Sequence, residues 1–203
     1  MDSAHKASSS RRGPARLTLA AFAAGLIAIL GQSLIVRELV IAFLGNELVI
    51  GVTLGAWLFW TGLGSTTLGR LSEHSERPRA WLGAELVLLA VFLPLCFIGA
   101  GAARALVGLE SGETVGPVPI IAACVAILLP LCLVNGALFP ALCRALSDFV
   151  RGEAAIARAY TWEAVGSAVG GVLFSAFVIR WAQPTVAVAA CSMAALALGT
   201  TMV

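Results

Sequence analysis

Six apolar stretches divide the chain, each long enough to cross a bilayer and none showing the strict alternation of a half-buried strand. They cover approximately 17–44, 47–69, 80–103, 118–143, 159–180 and 184–203, and short polar segments separate them. A helix needs about 20 predominantly apolar residues to span the hydrocarbon layer, so the pattern predicts an all-α, polytopic membrane protein with a six-helix bundle over 17–203. Residues 1–16, rich in Ser, Ala and Arg, are expected to form a disordered cytoplasmic tail. Arg11 and Arg12 before the run from Leu17 to Leu30 imitate a secretory signal. The apolar character continues through Ile35 with no small-residue cleavage site, which favours a retained first helix.

Composition raises this reading above pattern alone. Hydrophobic residues make up 60% of the 203 positions and charged residues 12%, with a mean hydropathy of +0.97, more apolar surface than one soluble core of this size can hide. The lipid bilayer is therefore the first partner to assign. Net charge is only +2, and the basic residues that exist are explained by topology, so nucleic acid is not a partner.

The 13 Lys and Arg residues cluster on one side of the predicted bundle. Lys6, Arg11, Arg12 and Arg16 precede the first helix, Arg70, Arg77 and Arg79 follow the second, and Arg144, Arg151 and Arg158 follow the fourth. The other side receives Arg37, Arg104 and Arg180. Short cytoplasmic loops carry the excess of Lys and Arg, which predicts a multi-pass plasma (inner) membrane protein with both termini cytoplasmic and the Arg104–Pro117 loop outside. Trp81, Trp162 and Trp181 fall at helix ends, where amphipathic rings sit at headgroups. Trp57 and Trp60 share one face inside the second helix and read as packing residues.

Candidate chemistry is sparse. The five cysteines lie within spans without CxxC spacing, and His5 and His74 stand apart from them, so no metal, cofactor or disulfide is indicated. No catalytic constellation is present. Polar residues at membrane depth are costly and become the site candidates: Gln32, Arg37, Glu38, Glu85, Asn135 and Glu163. Arg37 and Glu38 could also form a structural pair beside the turn at Gly45 and Asn46. Small residues that let backbones approach point to tight packing of the second and fifth helices, through Gly51, Gly55, Gly62 and Gly64 and through Gly166 and Gly170. Pro130, Pro140 and the Asn135–Gly136 pair predict a fourth helix kinked or unwound near its middle, and Pro94 a bend in the third.

The stretch QSLIVRELVIAFLGNELVIGVTLGAWLFWTGLGSTTLGR from Gln32, with NGALFPALCRAL from Asn135 and RAYTWEAVGSAVGGVLFSAF from Arg158, resembles the multi-pass membrane module fused to spermidine synthase-like domains in bacteria. Arg37, the Gly45–Asn46 turn, Gly62, Gly64 and Ser65, and then Tyr160, Glu163, Gly166 and Gly170 stand in the order of that family. Six helices with inside termini also resemble one half of a major facilitator fold, although in GRLSEHSERPRA Glu73 stands for the usual Asp and Glu76 and Pro78 interrupt the basic run. The resemblance implies a scaffold or anchor subunit working with another chain. A half-size, partnered or homo-oligomeric transporter of a small cation such as a polyamine is the alternative, and a membrane fragment of a polyamine aminopropyltransferase, without its catalytic domain, is the other.

Overall fold

A computed structural model describes residues 2–108 and 116–202, with side chains from Gly13 onward. The chain is all-helical over these residues. Six helices are long and apolar enough to cross a membrane: α1 (Asp2–Ala42), α2 (Leu48–Glu73), α3 (Pro78–Gly101), α4 (Pro117–Ser147), α5 (Glu153–Trp181) and α6 (Pro184–Met202). Residues 2–16, expected to be irregular, continue the α1 backbone, in keeping with the high helix propensity of Ala and Arg. The centre of the expected Arg104–Pro117 loop, including Ser111, lies outside the described residues.

Local chemistry sets several of the boundaries. Pro78, Pro117 and Pro184 each open a helix, where a missing N–H costs nothing and φ is already helical. The α1–α2 turn closes through Gly45 N–H donating to the Val40 carbonyl at 2.8 Å, with Gly45 at φ +79°, a conformation that favours glycine. Asn46 Oδ1 accepts from the Leu48 amide at 3.0 Å and starts α2. Near the other end of α2, Thr66 and Thr67 hydroxyls donate back to Gly62 and Leu63 carbonyls, and the helix breaks at Thr67 before resuming over Leu68–Glu73.

The helices pair as α1 with α5, α2 with α4 and α3 with α6, while α3 also packs on α4 and α1 on α6. Exchanging the first three helices with the last three maps α1–α5 onto α4–α2, α3–α4 onto α6–α1, and α3–α6 onto itself. Three spans separate the two triplets, so they start on opposite sides of the bundle. That exchange relates these pairings, whereas α1 also packs on α3 and no comparable α4–α6 contact answers it among the described residues.

Two crossings of parallel helices show how the close pairs are made. A methyl group at Gly25 of α1 would collide with the Glu163 carbonyl of α5, and one at Gly166 would collide with the Phe22 carbonyl. In α2 and α4 the same happens twice more, Gly64 against the Leu133 carbonyl and Gly136 against the Thr61 carbonyl. In every case the obstructing carbonyl lies three residues before the partner's glycine. Gly170 extends the first crossing onto Ile29 and Leu26. The expectation for Gly64, Gly166 and Gly170 is met. Gly51, Gly55 and Gly62 face open space and pack against no other described helix of this chain. Gly55 and Gly64 are nine residues apart, two and a half turns at about 3.6 residues per turn, and so lie on opposite faces. The third close pair, α3–α6, was not anticipated. It buries Cys191, Ala195 and Gly199, and a methyl group at Gly199 would stand 2.8 Å from the Gly83 carbonyl.

The fourth helix runs unbroken over Pro117–Ser147, so it is not unwound near its middle. Carbonyls beside the Pro130 ring find donors on neighbouring helices: Trp60 Nε1–H reaches the Val125 carbonyl at 2.9 Å, and Cys96 Sγ–H the Ile127 carbonyl at 3.0 Å. The helix containing Pro94 is likewise continuous. The irregularity falls instead in α5, where Phe174–Val178 is a π-helical segment.

Gly64→Ala or Gly166→Ala should therefore destabilise the bundle by about 2 kcal/mol or more, because the obstructing atoms are backbone. Gly55→Ala should be neutral or mildly stabilising. Thermal melting of the three variants in one detergent checks this, and equal midpoints would refute the assigned crossings.

Candidate functional site

The sequence-predicted polar residues do not form one cluster. They divide between a furrow on the exposed side of the bundle and the interior of α3. Its walls are α2 and α5, and its floor is α1 toward one end and α4 toward the other. Helix α5 is the least enclosed, with 17% of its apolar window buried against 56% for α1.

Toward the ends of the helices that carry few basic residues, a groove of about 550 Å³ is lined by Ile29, Gln32, Ser33, Val36 and Arg37 of α1, Leu54 of α2, and Phe174 and Ile179 of α5. The π-helical segment supplies part of this wall; such segments recur at functional sites because they re-aim side chains. Gln32 and Arg37 are half-buried and make no hydrogen bond or ion pair with any described residue. Glu38 is equally unpaired and does not bridge to Arg37, since adjacent helical positions diverge by about 100°.

Toward the basic end, a cavity of about 510 Å³ lies between α2, α4 and α5, lined by Ser65, Glu73, Phe139, Pro140, Cys143, Arg144, Ser147, Gly152, Ala155 and Ile156. Arg144 Nη1–H donates to Asp148 Oδ1 at 3.0 Å, so its charge is already matched. Glu73 and Cys143 line this cavity from different helices. Glu163 lies about two turns deeper than Ile156 on the same strip of α5, and its carboxylate has no partner among the described residues. Asn135 lies one turn deeper than Phe139 on α4, also without a hydrogen bond there.

Glu85 belongs elsewhere. It is 4% exposed inside α3, where Trp81 Nε1–H donates to its Oε1 at 2.8 Å and leaves Oε2 unpartnered. The side chain touches no cavity of the furrow. Two further contacts tie the basic ends together. Arg158 Nε–H donates to Thr18 Oγ1 at 3.0 Å rather than engaging Glu163, and the Arg79 guanidinium sits 4.6 Å from the Phe149 ring centroid. The expected packing role of the paired tryptophans is met, with Trp57 buried and Trp60 bonded to α4.

Sequence reasoning missed Ser33, Ser65, Cys143, Arg144 and Ser147 as cavity residues. Each was individually cheap to satisfy, and only the α2–α4–α5 arrangement brings the last four together. No family model matches the chain, and no curated protein or solved structure is significantly similar to it.

Trp81→Phe removes the donor from Glu85 and should cost about 1–3 kcal/mol, the penalty for orphaning a buried acceptor. Melting in detergent measures it, and a Glu85→Leu background should abolish the effect. A loss of the same size in that background would show that the ring's packing, not the hydrogen bond, is responsible.

Proposed function

We propose that the chain is an integral membrane scaffold subunit whose furrow is closed by a second membrane-spanning chain packed against α2 and α5. One observation carries this reading: Gln32 and Arg37 line an uncovered groove without a partner among the described residues, and Asn135 and Glu163, equally unpartnered there, lie one to two turns deeper than residues lining the second cavity. Polar groups facing lipid are costly, and helices that present them normally do so toward protein or water. The outward faces of the same two walls carry small residues, Gly51, Gly55 and Gly62 on α2 and Ala164, Ala168 and Gly171 on α5, where another backbone can approach. The resemblance to the membrane module of spermidine synthase-like proteins supports the same role. In this reading the basic clusters face the cytoplasm and the chain resides in the plasma (inner) membrane.

A second reading, half of a small-molecule carrier, is favoured by the cavity lined by Glu73, whose carboxylate would balance a cationic amine, with Glu163 about two turns deeper than Ile156 on α5. Such carriers rock one repeat against another, so this role also requires a second unit, from a partner or another copy.

Gly55→Trp and Ala168→Trp should reduce the native assembly, sized by mass photometry in mild detergent, to the 20.9 kDa single chain. Ala197→Trp, on the exposed face of α6, should leave it intact. A wild-type assembly already at single-chain mass would end the scaffold reading, and amine accumulation by proteoliposomes of the chain, abolished by Glu163→Gln, would replace it with the carrier. For orientation, Gly116→Cys with the five native cysteines changed to Ala should label from the extracytoplasmic side. Labelling confined to the cytoplasmic side would reverse the topology.

A further inference from the structure

We infer that the groove over α1, between α2 and α5, seats an anionic phospholipid, with the Arg37 guanidinium holding its phosphate. Arg37 presents a cation without any described partner in a cavity whose apolar walls are Ile29, Val36, Leu54, Phe174 and Ile179 and whose other polar residues are Gln32 and Ser33. A permanently charged guanidinium in such a place demands an anion, and its fork of donors fits phosphate oxygens. Depth agrees with a lipid in its ordinary orientation. Arg37 lies five residues before the end of α1 at Ala42, about 7.5 Å along the helix at about 1.5 Å per residue. Ser33 lies one turn farther in, with Gln32 beside it, and both bring unused hydrogen-bond donors to the depth where acyl ester carbonyls follow a phosphate.

The apolar walls decide between sources of phosphate. A soluble anion would use Arg37 and leave the rest of the groove unfilled, whereas acyl chains leave by the exposed rim at Leu54. The volume of about 550 Å³ falls within the usual ligand-pocket range of roughly 300–1,000 Å³. The same end of α5 carries the headgroup-level ring of Trp181, which is 82% exposed. The inference does not depend on the second chain, because the groove is formed by helices of this one.

Native mass spectrometry of the full chain, delipidated and titrated with phosphatidylglycerol, tests the assignment. One lipid should bind ahead of a non-specific ladder, and Arg37→Gln should weaken that first event about tenfold, the loss of one charge-assisted interaction. Arg37→Lys should recover part of it. Leu54→Trp, which keeps the charge and fills the groove, should weaken it as strongly, and provides the test if Arg37→Gln does not fold. Equal first-site affinity in wild type and Leu54→Trp would show annular lipid only and overturn the proposal. Displacement by sn-glycerol 3-phosphate would overturn it in favour of a soluble anion, and a protein carboxylate cross-linked at position 37 in native membranes would overturn it in favour of a partner chain.

Discussion

The fold depends on backbones touching. Lipid tails solvate leucine as well as another helix does, so burial of apolar area gives little reason for these six helices to associate. What remains is van der Waals contact at short range, and its strength falls steeply with separation. Gly25 with Gly166, and Gly64 with Gly136, remove the side chains that would hold two helix pairs apart, and Ser167 then donates to the Gly25 carbonyl at 3.2 Å across the first crossing. The remaining contacts assemble around those pairs. Helix α3 reaches α4 through Cys96, α1 through Leu93 over Gly31, and α6 through Gly83.

Close pairing also fixes where the polar groups go. Because α5 gives its glycine face to α1, and α2 gives Gly64 to α4, both helices turn their opposite faces outward, and the space between them becomes the furrow. The groove floor continues, past Ile29, the same face of α1 that meets α5 at the crossing. Arg37 and Gln32 are thus set beside a cavity by the register of Gly25, some two to three turns away on the same helix. A shift at the crossing would rotate both residues toward a neighbour. Packing and candidate chemistry are for this reason one problem in this molecule.

Much of the architecture was legible in the sequence because the bilayer imposes its own periodicity. Six apolar runs between charged segments map onto the six helices to within a few residues, save for the extra turns of α4, α5 and the start of α1. Which glycines pack was only half legible. Glycine in a helix marks either a close crossing or an open face, and Gly55 and Gly64 differ in nothing that composition can register. Proline misled for a related reason: Pro130 does free a carbonyl, but the donors that steady its neighbours, Trp60 and Cys96, lie some 70 and 34 residues away in sequence. The π-helical segment at Phe174–Val178 carries neither Gly nor Pro and left no local signal.

The placement of Glu85 separates two kinds of intramembrane carboxyl group. Glu85 is sealed in α3, where a donor from its own helix, four residues back, reaches Oε1 and the buried Oε2 has no partner among the described residues. Glu163 has a glycine of α1 pressed against its backbone and no partner for its side chain, so the crossing that builds the bundle also fixes an unmatched acid beside the furrow. Depth alone would have ranked the two equally. An unmatched group can be tolerated at such a position if water, a ligand or another chain reaches it, and the furrow is the route by which any of these can arrive. Residues the fold leaves incomplete beside the furrow are thus the candidates for function, and those that it satisfies across helices, Trp60 and Cys96, hold it together.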